Sequence, residues 1–275
     1  MTATIRTRIW QEEPEPADRF ATRAARCRGY DVYGDLLGQA RWVDMLWLLF
    51  RQDAPTPAQA SLLEGLAVAL ANPGPRDAAV HAAMCAGVGG SPAAAALMAA
   101  LAVGAGRHGG AQEVAAAMTC WAQLEALSAD VSVQAWVEAG SAMAAPSLAI
   151  WPDVDHAPGF EPNGVVTPGV VCDALARLAT LGGPRLAWLA AHRTAVEAAV
   201  GLPLAMSGVA AAALADLGFS PEQGEMLHLL LRLPGAAAHA LEQRAGSYKE
   251  FPFFALELQD DPRDALLNVP VKEAA

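Results

Sequence analysis

From Arg41 onward the segment RWVDMLWLLF sets Trp42, Met45, Leu46 and Leu49 three and four positions apart. That spacing gathers apolar side chains into one stripe of an α-helix and predicts a helix to about Gln52. Pro55-Thr56-Pro57 then restarts the chain: Thr56 can cap, Pro57 suits a first helical turn, and Gln59 completes a capping box. This second helix is expected to stop at Asn72-Pro73-Gly74. The same start signal recurs at Ser91-Pro92, Thr167-Pro168 and Ser220-Pro221, the last with Gln223 three residues beyond the cap. Between these starts lie glycine-rich stops at GVGG (87–90), GRHGG (106–110) and LGG (181–183). One run, VSVQAWV (131–137), alternates with a period of two, but it is short and flanked by helix formers. The pattern therefore predicts an all-α architecture.

The periodicity fails over PSLAIWPDVDHAPGFEPNGVV (146–166), which holds four prolines, two glycines and three acids. A loop that long in a compact domain is more often functional than accidental. It suggests a division into a discontinuous large helical domain (28–145 and 202–250) and a smaller unit (146–201) made of the loop and two helices. Residues 1–27 form an N-terminal arm and 251–275 a C-terminal arm. The latter, carrying FPFFALELQDDPRD, reads either as a segment lying on a partner surface or as a solvated tail.

Composition sharpens this picture. The chain of 275 residues is 54% hydrophobic but only 6% aromatic and 17% charged, so its apolar content is dominated by small side chains, Ala above all. That favours helices and excludes a disordered chain. A net charge of −11 argues against nucleic acid, whose phosphates call for a Lys/Arg face. Cys27, Cys85, Cys120 and Cys172 have neither zinc-site spacing nor the density of a disulfide scaffold, and are expected as reduced, mostly buried thiols. No metal and no resident cofactor are expected. The N-terminus lacks a secretory apolar core, and the longest apolar stretch, 92–106, is broken by Gly104 and shorter than a bilayer span. A cytoplasmic protein without membrane contact is the expectation.

His108 stands out among the polar residues, because GAGRHGGAQE surrounds it with four glycines between two Ala-rich helices. Glycines let a ligand or another backbone approach closely, and Gly109-Gly110 leads into a helix whose free N–H groups can bind an oxyanion. From the residues alone, His108 reads first as a packing or capping histidine, with a hydrogen-bond donor to developing negative charge as the alternative.

Four stretches, taken in order, resemble the citrate synthase superfamily, and within it the short members like citryl-CoA lyase and the lyase domain of ATP-citrate lyase. They are RGYDVYGDLLGQARWVDMLWLLFRQDAPTPAQASLLEGLAVAL (28–70), HGGA (108–111), LPLAMSGVAAAALADLGF (202–219) and RLPGAAAHALEQ (232–243). The resemblance implies a mostly helical homodimer with a large and a small domain and a cleft between them. It further implies an enzyme that condenses an acyl-CoA with a 2-oxo acid, or cleaves the product, through an enol of the thioester. His108 would then hydrogen-bond the thioester oxygen, with Gly109 and Gly110 beside it. His156, in DVDHAPGF, would bind the ketone oxygen, although the family's Gly-Phe-Gly-His is absent.

One departure is chemically serious. The family's base is the Asp of Asn-Val-Asp, and the matching positions here are Ala205, Met206 and Ser207. A hydroxyl with no neighbouring base cannot remove a proton from a thioester α-carbon at neutral pH. The family's dicarboxylate-binding arginines are also missing from the tail, which leaves Arg232, Arg244 and Lys249 or helix N-termini to meet anionic groups. Three readings follow. The first is a CoA-thioester lyase or synthase with a relocated base such as Asp153 or Asp155. The second is a CoA-thioester-binding paralogue without turnover, serving as a regulatory or partner subunit. The third is a helical interaction module.

Overall fold

The computed structural model describes residues 5–127, 132–142, 156–246, 249 and 251. Ten α-helices carry the fold within them: α1 (Trp42–Phe50), α2 (Pro57–Leu70), α3 (Ala78–Val88), α4 (Ala93–Gly104), α5 (Ala111–Leu127), α6 (Val133–Ala142), α7 (Gly169–Ala179), α8 (Pro184–Val200), α9 (Met206–Asp216) and α10 (Pro221–Ala245). Both capping boxes form. Thr56 accepts from Gln59 N–H and the Gln59 side chain accepts from Thr56 N–H; Ser220 and Gln223 do the same at α10. At the other two Ser/Thr-Pro starts, Pro92 and Pro168 themselves occupy the cap positions, without a side-chain cap. The Thr167 hydroxyl is drawn into tertiary bonds instead. It donates to Glu197 of α8 at 2.5 Å and accepts from Leu204 N–H at 3.0 Å, tying α8 to the entry of α9.

The period-two run, discounted as a strand, lies from Val133 onward in helix α6, where Val133, Trp136 and Val137 also satisfy a helical stripe and Trp136 is buried. One local expectation changes. Residues 5–27 and the turn after them are not helical: β1 (Trp10–Pro14), β2 (Thr22–Cys27) and β3 (Tyr30–Asp31) form a small antiparallel sheet beside the helices. Its second hairpin turns through Arg28 and Gly29, both at positive φ (54° and 94°), the geometry that suits the twist of a two-residue turn. These strands escape a search for apolar alternation because charge holds them. Glu13 on β1 pairs across to Arg23 (3.1 Å) and to Arg26 on β2, while only Ala25 and Cys27 of β2 point into the core.

Helix α9 lies at the centre, with every residue from Ser207 to Leu214 buried and contacts to α2, α5, α7, α8 and α10. Ala and Gly side chains permit such close approach, since dense packing leaves no room for larger ones. One apolar core runs from Leu46 and Trp47 of α1 through α9 to Leu175 of α7 and Leu186 of α8. It includes Trp121, Trp136 and Phe160 in edge-to-face contact, with ring centroids 6.0 and 5.4 Å apart. A smaller core joins α3, α4 and α10 through Val80, Ala100 and Ala236. The buried Asp216 side chain at the end of α9 caps α8, accepting from Arg185 N–H (3.0 Å) and Leu186 N–H (2.9 Å). The long helix α10 contains Pro234, and the next residue, Gly235, donates its N–H to Ala71 O at the end of α2 (2.7 Å). All four cysteines are free; Cys85 is exposed, against expectation, and burial pushes the Cys120 thiol up to about 11. Among the described residues no helix is long and apolar enough to cross a membrane.

Candidate active site

The sequence between α4 and α9 is folded so that two glycine turns converge on the start of α9. Gly109, at φ 68°, turns the chain into α5, and Gly159, at φ 91°, turns the described part of the long loop onto the first turn of α9. There Gly159 O accepts from Ala205 N–H (2.9 Å), and a Cβ on Gly159 would stand 2.8 Å from the Cα of Gly208. The close approach explains why both positions are glycine.

At this junction sits Glu113, one turn into α5 and 3% exposed. It is a residue that sequence reasoning did not select. Its Oε1 accepts from the Ser207 hydroxyl (2.9 Å) and from Gly159 N–H (2.9 Å), and its Oε2 accepts from Gly109 N–H. A buried carboxylate needs such compensation. The His156 Nε2 lies 3.9 Å from the same Oε1, and the His156 ring stacks on that of His108 with centroids 5.5 Å apart. His156 is thus no solvent-exposed loop residue, its side chain being 8% exposed. His108, Gly109, His156 and Ser207 therefore gather around one carboxylate. Ser207, read from sequence as having no neighbouring base, has one brought from 94 positions away. Asp153 and Asp155 lie outside the described residues.

Ser207 also lines a cleft of about 670 Å³ bounded by α2, α7, α9, α10 and the turn at Gly109. His228 and Arg232, one turn apart on α10, form another part of its wall. Arg232 pairs with Asp77, the cap of α3, and donates to Gly109 O (3.2 Å) and to His228 Nε2 (3.2 Å). Because a guanidinium only donates, Nε2 is the acceptor and the His228 proton resides on Nδ1. Burial, reinforced by the Arg232 charge, pushes the His228 pKa down to about 3, so the ring is neutral. Its buried Nδ1 has no partner among the described residues.

The remaining expected contacts are placed differently. Gly110 is buried, and a Cβ there would collide with the backbone of Gly106, so it serves close packing of the turn. Arg244 lies at the far end of α10, beside a shallow groove with Gly87 and Leu241, and is not in the wall of the Ser207 cleft. Of the histidines, the one in that wall is His228, among the described residues. No group of three His, Cys, Asp or Glu side chains among the described residues is arranged to hold a metal ion.

No protein-family model matches the chain, and no curated protein matches it in sequence. Solved structures do. Citryl-CoA lyase from Hydrogenobacter thermophilus superposes with a TM-score of 0.66 at 19% identity, over 96% of this chain and 100% of that one. ATP citrate lyase from Methanothrix soehngenii, in complex with citrate and coenzyme A, gives 0.65 at 17% identity. A variant of the Methanosaeta concilii ATP citrate lyase, in complex with (3S)-citryl-CoA, gives 0.67 at 18%. Both matches cover 94% of this chain but only 42% and 43% of the ATP citrate lyases. The chain has the helical citrate synthase-like fold of these neighbours.

Proposed function

We propose that this chain binds a CoA thioester in the cleft beside Ser207 and makes or breaks a carbon–carbon bond at the thioester α-carbon, in the manner of a citryl-CoA lyase. The single observation that carries the reading is the hydrogen bond from Ser207, which faces the cleft, to the buried Glu113 carboxylate behind it. A serine alone has no basicity to offer, but a serine whose proton is already directed at a carboxylate can relay one. In the synthetic direction the α-carbon proton passes to Ser207 Oγ as the hydroxyl proton passes to Glu113 Oε1. The electron pair of the C–H bond becomes the enolate that attacks a carbonyl carbon. In cleavage, the same chain runs backwards and returns a proton to carbon.

The role carried over for His108, a hydrogen bond to the thioester oxygen, is supported by its stacking on His156 next to the cleft-lining Gly109. Fold similarity to citryl-CoA lyase and ATP citrate lyase adds to the same reading. The second reading, a thioester-binding subunit without turnover, is favoured by the three hydrogen bonds that Glu113 accepts, which suit a carboxylate acting as a fixed clamp. The unit at work in either reading is a homodimer. That is supported by α4, which carries no charged residue and leaves Met98 and Val103 exposed.

Calorimetry with CoA and acetyl-CoA tests the binding on which both readings stand. Saturable binding of acetyl-CoA below millimolar concentration is expected; no heat from either ligand at millimolar concentration removes them together.

A further inference from the structure

The fold neighbours include complexes with citrate and with (3S)-citryl-CoA, ligands rich in carboxylates. The cleft described above has a different chemistry. Its ionisable wall comprises the acids Asp77, Glu161 and Asp173 against the cations Arg177 and Arg232. Of those cations, Arg232 is already paired with Asp77 and also donates to Gly109 O and His228. A multiply charged carboxylate group entering here meets more negative than positive charge in the cleft wall.

The rest of the wall is apolar, with Leu70, Val170, Val171 and Met206. Among the described residues, the Nδ1–H of the wall residue His228, itself 2% exposed, has no acceptor. A buried donor without an acceptor is costly, and a neutral imidazole N–H is suited to a carbonyl or hydroxyl oxygen.

We infer that the group joined to, or released from, the thioester in this cleft is an uncharged carbonyl compound with an apolar substituent, held at its oxygen by His228, and not a di- or tricarboxylate. Equivalently, the preferred long substrate is a 3-hydroxyacyl-CoA whose acyl group carries no charge. The inference rests on the thioester reading above and narrows its substrate class. Arg232 here is a positioning residue: with its hydrogen bond to Nε2 it fixes the tautomer that presents Nδ1–H.

Calorimetry on the full chain with acetyl-CoA, 3-hydroxybutyryl-CoA and (3S)-citryl-CoA tests it. The expected result is binding of all three CoA ligands at differing strengths, with 3-hydroxybutyryl-CoA at least about tenfold tighter than citryl-CoA. Equal or tighter binding of citryl-CoA overturns the inference while leaving the thioester reading intact; failure of every thioester to bind overturns both. The exposed Asp173 gives a variant that does not threaten the core. Asp173→Asn should move the affinity ratio severalfold towards citryl-CoA, and an unmoved ratio contradicts the charge argument.

Discussion

In the proposed reaction Glu113 and Ser207 divide between them what a single carboxylate would do: one supplies basicity from a buried position, the other reaches the cleft. Replacing Ser207 by Asp is therefore not a simple restoration of a base. The new carboxylate would lie against Glu113, and two acids that close cannot both ionise, so one takes up a proton and the site loses the relay geometry. His228 makes a separate prediction about pH. Above about 6.5 its ring is neutral in folded and unfolded chains alike. As pH falls from there towards 3, the unfolded chain takes up a proton that the buried ring refuses, and stability declines. Urea unfolding at pH 7, 5.5 and 4.5 should show His228→Leu losing less stability on acidification than the natural chain, by up to about 1.4 kcal/mol per pH unit. Identical slopes would contradict the buried neutral ring. In sequence, His228 is one polar residue in MLHLLLRL and carries no signal beyond its four-residue spacing from Arg232. Glu113 did leave one: it is the lone charged side chain between His108 and Leu124. A solitary acid in an Ala-rich helix has to be compensated once that helix is buried.

Helix starts were the most legible elements, because a capping box is a local device whose partners lie three residues apart; Thr56 with Gln59 and Ser220 with Gln223 show this directly. Where a distant partner competes, local reading loses accuracy. Thr167 abandons its cap for Glu197 and Leu204, contacts 30 and 37 positions away. The N-terminal sheet was hidden for a related reason, since its cross-strand ion pairs and positive-φ turn leave no apolar alternation to detect. The cap on α8 is likewise tertiary, supplied by Asp216 from the end of α9. Asp216→Ala removes two charge-assisted bonds from that helix N-terminus and should destabilise the chain by about 1–3 kcal/mol in urea unfolding. A loss within a few tenths of a kcal/mol would show that the α8 N-terminus is satisfied by other means.

At the scale of the molecule, the Ala-rich helices separate into two roles that composition could not distinguish. Helix α5 is a core element, with Val114, Ala117, Met118 and Trp121 buried among α9 and its neighbours, whereas α4 keeps an apolar outer face. The proposed homodimer follows from that face: the chain should sediment as a dimer at micromolar concentration, and Met98→Glu should shift it towards monomer, while a monomeric natural chain removes the proposal. Packing supplies a helical frame that holds Ser207 between a cleft and a buried carboxylate. The most direct test of that claim is exchange of the acetyl-CoA methyl protons with deuterated water, followed by NMR with melting temperatures in parallel. The relay predicts exchange in the natural protein and, in Glu113→Gln, a loss of about a hundred- to ten-thousandfold with thioester binding retained. Exchange that is absent from the natural protein, or that persists unchanged in Glu113→Gln, contradicts it.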